Sequence, residues 1–185
     1  MEFVPIFTVP ESEIEHSFLW AVQFEGEECN ELERLLDEWN DPIYLRKFFT
    51  ENEDDLNSDF WKPLTISQAI FRVMDEAEDI ENILSSVEDQ LKKGDKSLLK
   101  ETFKPLHRFS QIKKPQIFKA KSDNRMPFLR LYGLELEDGQ YIITGGGIKL
   151  TKTNQESAHI ALQINKTERV KSFLELENIF FLPNE

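Results

Sequence analysis

Between Phe128 and Leu150 the chain reads as two apolar, β-prone runs around Asp138-Gly139, the second passing through Gly145-Gly146-Gly147. An Asp-Gly pair supplies the positive backbone φ that a tight hairpin turn needs, so the two runs predict antiparallel strands. Gln116 to Lys121 alternates apolar and basic residues and predicts a further strand, giving a three-strand antiparallel meander. The triple glycine is no phosphate loop, because no Gly-Lys-Ser/Thr follows and strand residues resume at once. It marks a bulge or a close approach of another backbone.

The first half has another periodicity. His16 to Phe24 predicts a first strand, stopped by Gly26. Asn30 can cap a helix with Leu32, Leu35, Leu36 and Trp39 on one face. Pro42 suits the first turn of a second helix carrying Tyr44, Leu45, Phe48 and Phe49. Glu51 to Asp59 predicts an acidic loop without the glycine and closing glutamate of a calcium loop.

Thr65 and Gln68 form a capping-box pair ahead of the longest helix, and Gly94 closes it. Its seam is Ile66, Ile70, Val73, Ala77, Ile80, Leu84, Val87 and Leu91. At only ~3–4 heptads the seam favours packing on the chain's own core, a homodimer through the 66–91 helix being its other use. Short and long helices are expected over 97–103 and from Gln155 to Leu174. A strand, helices, a three-strand antiparallel meander and a C-terminal helix make an α+β fold.

The 185 residues fit one domain, with an acidic part over 1–94 and a basic part over 95–185. The net charge of -13 hides this asymmetry. Residues 1–90 hold 24 acidic and 5 basic side chains, residues 91–185 hold 11 and 17. Such a split fits a polyanion-binding part joined to an acidic one, or two halves that attract each other. No apolar run approaches the ~20 residues of a membrane span. The acidic start, with Glu11, Glu13 and Glu15, does not read as a signal peptide, and one cysteine, Cys29, excludes an internal disulfide framework. The expectation is a cytoplasmic protein without membrane contact, metal or cofactor. The Glu13/His16 pair has no second pair to complete a di-metal site, and His107 and His159 lie far away in sequence.

The remaining chemistry is basic. Lys119 and Lys121 share one side of a strand by period two, Arg130 lies on the next, and Lys149 and Lys152 lead toward His159. Lys113, Lys114 and Arg125 extend the positive stretch. Clustered cations with a proton carrier suit phosphodiester cleavage, by stabilising a pentacovalent phosphate. By spacing alone, a solvated polar face of a sheet is the simpler account.

A resemblance shifts that balance. Phe103-Lys104-Pro105-Leu106, then Phe128-Leu129-Arg130-Leu131-Tyr132, then Tyr141 to Lys152 before a helix resemble the RelE/ParE-like toxin superfamily, in its HigB-type, phage-derived branch. The likeness covers about residues 100–175. It implies a RelE-like fold and the toxin of a bacterial toxin–antitoxin pair, acting as a ribosome-dependent, metal-independent mRNA endoribonuclease. By position it implies Lys119, Lys121, Arg130, Lys149 and His159 as catalytic residues, Lys113, Lys114, Arg125 and Lys152 as RNA contacts, and a cognate antitoxin as partner. Leu150 stands where that pattern has a second lysine, and the acidic first half exceeds a minimal toxin. These departures motivate the alternative, a non-catalytic protein-binding module on a toxin-like scaffold.

Overall fold

The computed structural model describes residues 1–11, 14–58, 61, 64–105, 116–120, 127–136, 139–151 and 157–182. Its elements run β1 (Glu2–Glu11), β2 (Ile14–Gln23), α1 (Glu31–Asn40), α2 (Pro42–Glu51), α3 (Glu53–Leu56), α4 (Ile66–Leu91), α5 (Ser97–Thr102), β3 (Lys104–Pro105), β4 (Gln116–Ala120), β5 (Leu129–Glu135), β6 (Tyr141–Ile148) and α6 (Ala158–Leu176). The fold is α+β. Among the described residues the strands form one sheet in the order β1-β2-β6-β5-β4-β3. Strands β2 and β6 run parallel, and the other neighbours are antiparallel.

The meander β4–β5–β6 and the closing helix stand where the alternation places them. Strand β1 is an addition. Pro5 and Pro10 disguise it, since proline interrupts a ladder, but at a sheet edge a missing N–H is tolerated. The expected loop over Glu51–Asp59 is corrected in part. Its first residue, Glu51, ends α2, and Glu53, Asp54 and Asp55 open the short α3, where acidic side chains suit a helix N-terminus, with Leu56 buried as anchor.

Helix caps follow their residue types. The Asn30 side chain accepts from the N–H groups of Leu32 and Glu33 while Glu33 reaches back, and Thr65 and Gln68 pair the same way. The α4 seam faces inward. Ile70, Val73, Ala77, Ile80, Leu84, Val87 and Leu91 join one core with Leu35, Trp39, Leu45, Phe49 and Leu131. The apolar stripe of the 66–91 helix is thus packed inside the fold, the use that the seam's length favours over a homodimer. Asp75, Glu78 and Asp79 are exposed on the opposite side, whereas Glu76 is buried at 2% exposure.

The sheet separates two cores. Leu19 and Ala21 of β2 belong to the larger one, beneath helices of the first half; Trp20 and Val22 belong to the smaller one, with Val170 and Leu174 of α6. Along β6 the alternation slips. Tyr132 pairs with Gly145 and Gly133 with Ile143, leaving Thr144 as the extra residue of a bulge. Beyond it, Gly145 and Gly147 turn toward α6, and Gly146 turns toward α1.

Three glycines are needed there because both sides are occupied. A Cβ on Gly146 would lie 2.7 Å from the Arg130 carbonyl and 2.8 Å from Leu35 Cδ1; on Gly147, 2.6 Å from His159 Nε2. On Gly145 it would meet the movable end of Gln163 at 2.9 Å. Gly146→Ala is expected to destabilise the protein by about 1–3 kcal/mol, since backbone cannot yield, and Gly145→Ala by less. Urea unfolding of both variants checks this. A Gly146→Ala midpoint equal to the wild type would refute the close approach.

Candidate functional site

Arg130 leads the sequence candidates that the structure describes. It is half-buried on β5, and its Nη1 donates to the carbonyls of Pro127 at 2.6 Å and Leu129 at 2.7 Å. Burial pushes its pKa down, opposed by Tyr132 and Glu76. Arginine nevertheless stays charged. Tyr132, two residues along, is almost fully buried, and burial pushes its phenol up to about 12, so it is protonated at neutral pH.

The register places the other strand candidates near it. Lys119 stands opposite Tyr132, and Arg130 stands opposite Gly147. Lys149 follows the end of β6, half-buried, and its N–H donates to the Phe128 carbonyl at 2.7 Å. Lys113, Lys114, Lys121, Arg125 and Lys152 lie outside the described residues. Leu150, in place of the second lysine, is buried in the larger core. A charged side chain there would lose water without a matching gain.

His159 comes from the first turn of α6, whose N-cap Ser157 accepts from the Ile160 N–H at 3.3 Å. The imidazole stands edge-on to Phe48 at 5.4 Å and packs against the bare backbone of Gly147. Burial lowers its pKa; Glu38 works against that, and Arg34 and Lys166 reinforce it. Its charged neighbours thus come from α1 and α6, while those of Arg130 are Tyr132 and Glu76. The structure brings both residues to Gly147 but into separate electrostatic surroundings.

The group around His159 was not legible beforehand. Glu31, at 2% exposure, accepts from Arg34 Nε and Nη2 at 3.1 and 2.8 Å and from Lys166 Nζ at 3.0 Å. Arg34 Nη1 also donates to Glu38 at 2.6 Å. Beside them Gln163 Oε1 is buried without a hydrogen-bond partner. Helical spacing hints at Arg34 with Glu38, but Glu31 and Lys166 are 135 residues apart, and no local pattern reports such a pair.

A second group grips the strand ends. Glu76 Oε2 accepts the Leu129 N–H at 2.9 Å, and its Oε1 accepts from Arg72 Nε at 3.1 Å. Burial raises the Glu76 pKa, and the Leu129 and Arg72 bonds pull it back. The Arg72 guanidinium lies 4.3 Å over the Phe128 ring and 5.2 Å from that of Trp61, whose Nε1 donates to the Leu150 carbonyl.

A groove of about 430 Å³ opens elsewhere, lined by Cys29, Glu33, Leu36, Asp37, Asn40 and Glu81. Desolvation, then Glu33 and Asp37, pushes the Cys29 thiol up, so it stays protonated and weakly nucleophilic. Carboxylates along this groove repel phosphate. Among the described residues no group of three or more His, Cys, Asp or Glu could hold a metal ion, and no helix is long and apolar enough to cross a membrane.

The chain matches no protein-family model, and no curated protein or solved structure is significantly similar to it.

His159 carries a pH signature. Its folded pKa lies below that of free histidine, near 6.5, so the unfolded chain takes the proton first as pH falls. The stabilisation is complete above ~6.5 and is lost as pH falls through the folded value. The stability difference between wild type and His159→Gln should therefore shrink from pH 7.5 to pH 5. Urea unfolding at both pH values measures it, and a constant difference would contradict the buried, neutral imidazole.

Proposed function

We propose that this chain is the toxin component of a bacterial toxin–antitoxin pair, a ribosome-dependent mRNA endoribonuclease working from the β4–β5–β6 face and held in check by an antitoxin. The strand register is the observation that supports the reading. It aligns Lys119 with Tyr132 and Arg130 with Gly147, over which His159 packs, so candidates from three separate elements share one region. The order read from the sequence, strand, helices, meander and helix, is the one the resemblance implies, and the structure adds β1 and β3 to it.

In this reading the substrate is a messenger RNA chain and the nucleophile is its own 2′-hydroxyl. The hydroxyl attacks the adjacent phosphorus, the bond to the 5′-oxygen breaks, and a 2′,3′-cyclic phosphate and a 5′-hydroxyl result. Arg130, with Lys119, Lys121 and Lys149, offsets charge on the equatorial phosphate oxygens. His159, neutral at physiological pH, or a lysine, carries the proton between attacking and leaving oxygens. Lys113, Lys114, Arg125 and Lys152 hold the backbone of the RNA, a contact that weakens as salt rises.

Induction in bacteria with mapping of messenger 5′ ends tests the reading. Growth arrest with new ends inside translated regions is expected, with Arg130→Ala lowering cleavage by ~100-fold or more. Normal growth without new ends, wild type and Arg130→Ala alike, would overturn it.

The second reading is a non-catalytic protein-binding module. The Arg130 guanidinium bonded to its own backbone and the acid-lined groove favour it. A stable protein partner recovered by pull-down, with no ribosome association at low salt, is its expected result. Steep salt-dependent ribosome binding would exclude it.

A further inference from the structure

The cluster around Phe128 takes no direct part in the chemistry just described, yet it holds the backbone next to two candidate catalytic residues. Leu129 is gripped twice: Glu76 accepts its N–H at 2.9 Å, and Arg130 Nη1 donates to its carbonyl at 2.7 Å. Leu150, next to Lys149, gives its carbonyl to Trp61 Nε1. Lys149 itself is tied to Phe128 by its N–H, and Arg72 joins both ends, bonded to Glu76 and lying over the Phe128 and Trp61 rings.

Packing alone does not call for this arrangement. Position 76 lies between Val73, Ala77 and Ile80 on the buried side of α4, where an apolar residue would fill the space. A carboxylate at 2% exposure is a costly way to satisfy the backbone N–H groups at a strand start. What it provides is a directional anchor, because a charged acceptor bonded to both a backbone N–H and a guanidinium leaves the strand little freedom.

The geometry points to Glu76, Arg72 and Trp61 as positioning residues: from α4 and the segment before it they preset the Arg130 guanidinium and the backbone that carries Lys149. The inference rests on the reading of the sheet face given under Proposed function. It deepens that reading by making catalysis depend on a contact with the long acidic-half helix.

The experiment compares full-length wild type with Glu76→Gln and Trp61→Phe. The ¹⁵N NMR signal of the Arg130 Nε–Hε group, assigned with an Arg130→Lys variant, is followed beside ribosome-dependent cleavage and ribosome affinity. In both variants the Arg130 signal is expected to move and its hydrogen exchange to quicken. Cleavage should fall ~10-fold while ribosome affinity stays within about twofold. An unmoved Arg130 signal in folded variants, even with a lowered melting temperature, overturns the proposal, since a purely structural role gives that pattern. If Glu76→Gln does not fold, Trp61→Phe decides alone, because it removes the Nε1 donor and leaves a smaller aromatic ring in its place. If the wild type cleaves no messenger, the endoribonuclease reading fails, and the Arg130 signal still decides whether the clamp positions that side chain.

Discussion

The close approach of two helices to bare backbone in β6 governs the rest of the architecture. Gly146 admits Leu35 and Trp39 of α1 from one side, and Gly147 admits His159 of α6 from the other. Without side chains on the strand, the helices come near enough for Lys166 of α6 to reach Glu31 of α1. Strand β2 pairs with β6 only over Tyr141, Ile142 and Ile143, so in the glycine stretch β5 is the strand partner that the ladder records. Helices and ion pairs take over where the ladder to β2 stops. The bulge at Thr144 makes this possible, turning the glycines so that small residues face both helices. Thr144 itself is satisfied by the Thr167 hydroxyl at 2.8 Å.

Much of the architecture was legible because it is local. Asn30, Thr65 with Gln68, Pro42 and Gly94 announced helix boundaries through their own side chains or backbone preferences, and the four-three spacing of α4 announced its buried stripe. Strand β1 escaped notice because two prolines obscure its alternation, and proline reads differently at an edge than inside a sheet. Glu76 escaped because helical periodicity places residues on faces without saying which face carries a charge that must be buried. Its partner, the Leu129 N–H, lies 53 residues away.

The candidate site divides in the same way. Period two put Lys119 on one side of a strand with Arg130 and Lys149 on its neighbours, but it was the resemblance that singled them out, with His159, as candidates. The groups that shape their behaviour were not legible. Burial, with Glu38, Arg34 and Lys166, sets the electrostatics of His159, and Glu76, Arg72 and Trp61 hold the strand ends beside Arg130. Each set joins segments far apart in sequence, through buried charge that exists only once the fold has removed water. Titratable behaviour is accordingly a property of the assembled packing here, more than of residue type.

The parallel pairing of β2 with β6 bears on how the chain is made. Leu19 finds Tyr141 across more than a hundred residues of intervening chain. At translation speeds of ~5–20 residues per second, that wait is on the order of ten seconds. During it, the inner edge of the β1–β2 hairpin has no native strand to bond, and Trp20 and Val22 have no helix to cover them. The ribosome-bound nascent chain thus carries an open, apolar ladder until β6 is made. Strand β6 and helix α6, which follow far along the chain, are the elements that close it.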